Sequence, residues 1–216
     1  MNRSFRSALT LAVATAALIV GACTVDGTDG PGNTVKVPTL KDTALSVNTL
    51  EPAANAPRIV NPVVSFWAIK GERSEAFMYY AKPGNRPDST VFVRFRVERN
   101  SLVNRPNGTP IADGDSILIT MTLVDSVKLE VGFEPSGLVF NPADPAILKM
   151  NYRETNPDYD DDGDVDSTDT AIPTIFAIWR RETPTSPWIR QTSTVTRELN
   201  EVETAVGGFT GYVIAW

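Results

Sequence analysis

Residues 91–97 read VFVRFRV. In an extended chain Val93, Phe95 and Val97 fall on one side, and Arg94 and Arg96 fall on the other. That period of two marks a strand with one dry face and one wet face. The stretch 116–124, SILITMTLV, repeats it: Ile117, Ile119, Met121 and Leu123 lie opposite Thr120 and Thr122. Working outward, VVSFWAI, AFMYYA, VKLEVGF, AILKMNY, TIFAIWRRE, WIRQTSTVT, VETAV and YVIAW also read as strands. Gly, Pro, Asn and Asp separate them, with turn signals at Gly84-Asn85 and Asn107-Gly108. Nothing after the N-terminal apolar run has a strong helical period. The chain is therefore expected to be all-β, a single antiparallel β-sandwich over 63–216 that follows a signal peptide and a flexible tether.

The N-terminal end carries different information. MNRSFR is basic, and SALTLAVATAALIV is apolar and short for a membrane span. It ends in Val20-Gly21-Ala22-Cys23, and Cys23 is the one cysteine of the chain. These residues resemble the lipobox of bacterial lipoproteins, with Val20 where Leu is commoner. The resemblance implies a lipoprotein signal peptide over 1–22, acylation of Cys23, and a membrane anchor of several acyl chains, as stable anchoring requires. Thr24 follows Cys23 where an Asp would resemble the inner-membrane retention signal, so the outer membrane of a bacterial envelope is expected over the inner. Residues 23–62, rich in Gly, Pro, Thr, Asn and Asp, read as a lipidated flexible tether, with a short strand allowed at Ala44–Val47.

Composition narrows the chemistry. A chain with one cysteine cannot close a disulfide within itself. The formal net charge is −6, and removal of Arg3 and Arg6 would make the remainder two units more negative. Such a chain is not expected to bind nucleic acid. It contains no histidine, which excludes His-based triads, His general bases and most zinc sites.

A second resemblance lies toward the C-terminal half. FEPSGLVFNPADPAILKMNY and GGFTGYVIAW resemble motifs of the ZU-type β-sandwich domain of ankyrins and netrin receptors. It spans roughly Val131 to Trp216, with a gap at the aspartate-rich segment. It implies a sandwich used for packing or partner contact, with no catalytic residues.

Residues 158–169 read DYDDDGDVDSTD, with seven aspartates in twelve positions. The pattern resembles the calcium loop of the EF-hand. That loop takes oxygen ligands at its first, third and fifth places, Gly at the sixth, a carbonyl from the seventh, a direct or water-mediated ligand at the ninth and a carboxylate at the twelfth. Asp158, Asp160 and Asp162 take the first three, Gly163 the turn, Asp164 the carbonyl, Asp166 the ninth place and Asp169 the twelfth. An all-oxygen set suits calcium, which tolerates irregular coordination, over zinc or copper. Asp169 stands where sensor loops have Glu. Pro173 and the β-branched residues after the loop favour a strand, so the second helix of an EF-hand is not expected. The loop is similar to the single calcium loops of bacterial extracellular proteins, including dockerins. Dockerins carry two, so cohesin binding does not follow. The alternative is a solvated acidic connection that holds no ion.

Other candidates read as structural. Glu130 and Glu134 would sit on the wet face of a strand rather than form a glycosidase pair. Trp67, Tyr79, Tyr80, Trp179 and Trp188 could make a sugar-stacking platform, but core packing is the expectation. Trp216 reads as the end of the last strand. The expected role is non-enzymatic: a calcium-binding envelope module for structural or adhesive contact with an envelope protein or glycan. The alternative is a calcium-dependent polysaccharide-binding module.

Overall fold

A computed structural model describes residues 42–82 and 90–216. The expected signal segment, residues 23–41 of the expected tether (with Cys23) and the Gly84-Asn85 turn lie outside the described residues. The strands are β1 (Thr43–Ala44), β2 (Val63–Ile69), β3 (Ser74–Tyr79), β4 (Val91–Val97), β5 (Leu102–Asn104), β6 (Ser116–Asp125) and β7 (Glu130–Glu134). They continue as β8 (Val139–Phe140), β9 (Ala146–Asn151), β10 (Ala177–Arg181), β11 (Trp188–Arg190), β12 (Ser193–Thr196), β13 (Glu201–Val206) and β14 (Gly211–Ala215). One α-helical turn, α1 (Ser167–Ala171), and two 3-10 turns, Ile172–Thr174 and Arg197–Leu199, interrupt them.

The fold is all-β, an antiparallel sandwich. One sheet runs β1-β11-β10-β14-β7-β6-β2, the other β12-β13-β9-β4-β3, and β5 with β8 forms a small ribbon. The alternation that marks β4 and β6 is realised: Val93, Phe95 and Val97 are fully buried, as are Ile119 and Met121. Between the sheets Phe95 from β4 meets Phe133 from β7, with ring centroids 4.8 Å apart. Phe209 closes on both, at 5.6 and 5.2 Å. The burial of these aromatics, with the aliphatic residues around them, supplies the apolar term of a fold without an internal disulfide.

The wet face of the five-stranded sheet is an ion-pair lattice. Arg94 bonds Glu75 at 2.8 Å, and Lys149 reaches Glu201 and Glu203 at 3.0 and 3.3 Å. The Arg94 guanidinium holds the Glu75 carboxyl below the usual range.

Three stretches differ from the sequence reading. The segment 42–62 is not simply a tether. β1 pairs with β11, Leu50 is buried and its amide bonds the Ile214 carbonyl, and Ile59 bridges to Tyr80. Ala44 and Val47 cover a second apolar cluster of Trp179, Trp188, Val213 and Ala215 on the outer face of the seven-stranded sheet. That half of the sheet is thus dry on both sides. In limited proteolysis we expect the resistant fragment, sized by mass spectrometry, to begin near residue 42 rather than 63; efficient cutting between Val47 and Pro62 would contradict the packing. Next, WIRQTSTVT forms two strands in different sheets, β11 and β12, and Ser193 Oγ accepts the Ile178 amide at the crossing. Last, Val127–Leu129 is a turn rather than strand. The Asp125 carboxylate accepts the amides of Val127 and Lys128, a local bond that competes with the ladder.

Candidate metal centre

The aspartate segment connects β9 to β10 and is tied down at both ends. At its start the Asn156 amide bonds the Glu51 carbonyl at 2.8 Å, and Asn156 Oδ1 accepts the Asp158 amide at 3.3 Å. Tyr159 anchors the loop through its ring, packed edge-on to Phe176 at 5.1 Å and to Trp216 at 6.2 Å. Burial pushes the Tyr159 phenol above its ordinary range.

The loop then folds back on its own carboxylates. Asp158 accepts the amides of Asp162 and Gly163 at 3.2 and 3.1 Å, and Asp162 accepts the amide of Asp164 at 3.1 Å. This curl needs left-handed backbone at Asp161 (φ 56°) and Gly163 (φ 98°). Glycine takes that conformation freely, and Asp tolerates it better than most residues. One carboxylate oxygen each from Asp158, Asp160 and Asp162 lies within 4.8 Å of the others.

Asp166 and Asp169 do not join that trio directly. They cap α1 reciprocally: Asp166 Oδ1 accepts the Thr168 amide at 2.6 Å, and Asp169 Oδ2 accepts the Asp166 amide at 2.9 Å. Asp169 is buried, and its other oxygen accepts the Tyr159 amide at 2.5 Å. A carboxylate has about four lone-pair sites. These bonds therefore orient Asp169 without exhausting it. The short helical turn corrects the expectation that no helix follows. Pro173 does not forbid it, because α1 ends at Ala171 and Pro173 sits in the tighter 3-10 turn Ile172–Thr174; the extended chain begins only at Ala177.

The electrostatics are those of a site short of positive charge. Desolvation, then Asp162, Asp169, Asp166 and Asp158, push the Asp160 carboxyl above its ordinary range. The Asp164 carboxyl is pushed up as well, first by Asp162. The donors are oxygens without sulfur or imidazole, so they fit a hard cation of calcium's type. Beside the loop lies a cleft of about 400 Å³, lined by Asn48, Glu51, Asn156, Asp160 and Trp216 among others.

The other sequence candidates separate. Tyr80, Trp179 and Trp188 are buried as expected, whereas Trp67 is 60% exposed. Glu134 is exposed, but Glu130 is buried, which corrects the wet-face reading. Its partner is Arg181, whose Nε donates to Glu130 Oε1 at 2.9 Å and whose guanidinium lies 4.5 Å from the Trp188 ring. Comparison with known proteins finds no matching family model, no similar curated protein and no similar solved structure. Among the described residues no helix is long and apolar enough to cross a membrane.

Proposed function

We propose that this chain is a bacterial envelope lipoprotein, anchored through acylated Cys23, whose β-sandwich is a non-enzymatic module for structural or adhesive contact and holds one calcium ion in the loop 158–169. The observation that carries the calcium reading is the convergence of Asp158, Asp160 and Asp162, with Asp169 buried behind them. A cation there would offset the mutual repulsion that pushes the Asp160 and Asp164 carboxyls up. It would also fasten a long connection that lies against residues 48–51. The ion's role is structural rather than sensory, since extracellular calcium modules bind at ~0.1–1 mM and stay largely loaded.

Anchoring rests on VGAC and the apolar run before it. Mass spectrometry of the mature N-terminus should show an acylated cysteine. Cys23→Ser should move the protein from the membrane to the soluble fraction. A Cys23→Ser protein that still sediments with membranes would defeat the anchor.

A further inference from the structure

The outer face of the seven-stranded sheet is divided. Its β11-β10-β14 half is covered by Ala44 and Val47. Among the described residues, nothing covers the outer face of β6 and β2. There the outward positions of β2 and β6 include Val63, Trp67 and Leu118, which are 55%, 60% and 44% exposed. Trp67 stands opposite Leu118 in the ladder, and two pairs along, on the same face, Ser65 and Thr120 share a hydroxyl hydrogen bond of 2.8 Å. No outward position along Val63–Ile69 or Ser116–Val124 carries a charge. The opposite sheet presents an ion-pair lattice instead, and the whole chain has a net charge of −6. An uncharged strip is therefore a local property of this face rather than of the composition.

The strip runs into a trough of about 360 Å³. Thr122 pairs with Gly132 in the ladder, and Gly132 pairs with Gly211. The two glycines keep the sheet low. A Cβ on Gly132 would meet Val124 at 2.9 Å, and one on Gly211 would meet Glu130 Oε1 at 2.5 Å. The floor is the Glu130–Arg181 pair, and exposed Glu134 and Glu182 stand at the rim. From Leu118 to Thr122, the strip and trough extend ~13 Å along the strands.

We propose that this face, from Trp67 to the trough at Gly132, binds a neutral polysaccharide. An indole offers a flat apolar surface to the C–H face of a sugar ring. Hydroxyls of Ser65, Thr120 and Thr122 and the rim carboxylates supply the donors and acceptors that its hydroxyl groups need. The rim carboxylates and the negative net charge disfavour uronate or phosphate polymers. A second copy is a poorer occupant, because the Ser65–Thr120 pair breaks the apolar area into pieces. The inference gives a ligand class to the adhesive role proposed above, but at a surface separate from the aspartate loop, so it does not depend on calcium.

The test uses the full chain in mild detergent and its retention on insoluble xylan, cellulose and β-glucan, with a polygalacturonate gel as the anionic control. At least one neutral polymer should retain it and polygalacturonate should not. Trp67→Ala should weaken retention tenfold or more with an unchanged melting curve, Thr122→Lys at the trough should do the same, and EDTA should have no effect. Retention by none of the neutral polymers would overturn the proposal, as would wild-type retention of both variants. EDTA-sensitive retention would place the glycan at the aspartate loop instead. Self-association that Trp67→Ala abolishes, without glycan retention, would make this face an interface between copies. Calcium calorimetry on the same samples separates the two readings. Intact retention without calcium heat would leave this site standing and sink the calcium loop; calcium heat without retention would do the reverse.

Discussion

Arg181→Ala should be among the most damaging single changes in the domain, with a loss of about 3–5 kcal/mol, or a melting temperature lower by roughly 6–20 °C. The Glu130 side chain is only 5% exposed and that of Arg181 19%. Arg181 donates to both Glu130 oxygens, donates to the Pro184 carbonyl at 2.9 Å and stacks on Trp188. Truncation leaves a carboxylate buried without its partner, which costs far more than the pair itself contributes. Arg181→Lys should recover only part of the loss, since a lysine cannot form the two-pronged bond. Glu130→Gln combined with Arg181→Met should be milder than Arg181→Ala, because no charge is stranded. Gly211→Ala should also destabilise, since its methyl would displace the Glu130 carboxylate. Thermal melts of the four variants check the order. An Arg181→Ala protein that melts within a degree of wild type would show that Glu130 reaches water.

The fold class was legible because β4 alternates from Val93 to Val97 and β6 from Ser116 to Thr122. The third layer was harder to see, although its signal is present. Ala177, Ile178 and Trp179 are buried in succession, as are Tyr212 to Ala215. An apolar run without alternation marks a strand covered on both faces. What covers it could not be read, because Ala44 and Val47 are scattered through a polar stretch and acquire meaning only against Trp179 and Trp188. The burial of Glu130 is hidden for a related reason. The short β7 alternates as any half-wet strand does, and its partner Arg181 lies 51 residues away. The convergence of Asp158, Asp160 and Asp162 follows their alternate spacing in the sequence. The capping duty of Asp166 and Asp169 was also written locally, as Asp-x-x-Asp at a helix start. Pro173 masks that signal, because the helix stops at Ala171, before the proline, and the strand begins only at Ala177.

Calcium should raise the melting temperature, and one substitution should separate binding from loop shape. A ligand that binds only the folded state stabilises it by ~2.7 kcal/mol at a hundredfold excess over Kd, or roughly 5–11 °C in a domain of this size. Asp158→Ala should abolish most of that response, but it also removes the acceptor for the Asp162 and Gly163 amides and so disturbs the calcium-free loop. Asp160 takes no part in those loop bonds, and its neighbours hold its carboxyl above the ordinary range. Asp160→Asn should therefore act with opposite signs. In chelator it should melt higher than wild type, because a repelling charge is gone. In calcium it should melt lower, because a ligand charge is gone. Acidification should follow the same logic. A carboxyl with a raised folded pKa destabilises the fold above that pKa, and the penalty disappears as the pH falls through it. Mild acid should thus relieve Asp160 and Asp164 in chelator, whereas with calcium present protons compete for the ligands and the gain in melting temperature shrinks. Magnesium should substitute poorly, since it demands a tighter octahedron and keeps its waters. Calorimetric titration is decisive. No heat at millimolar calcium, with identical melts in calcium and chelator, would reduce the seven aspartates to a solvated connection.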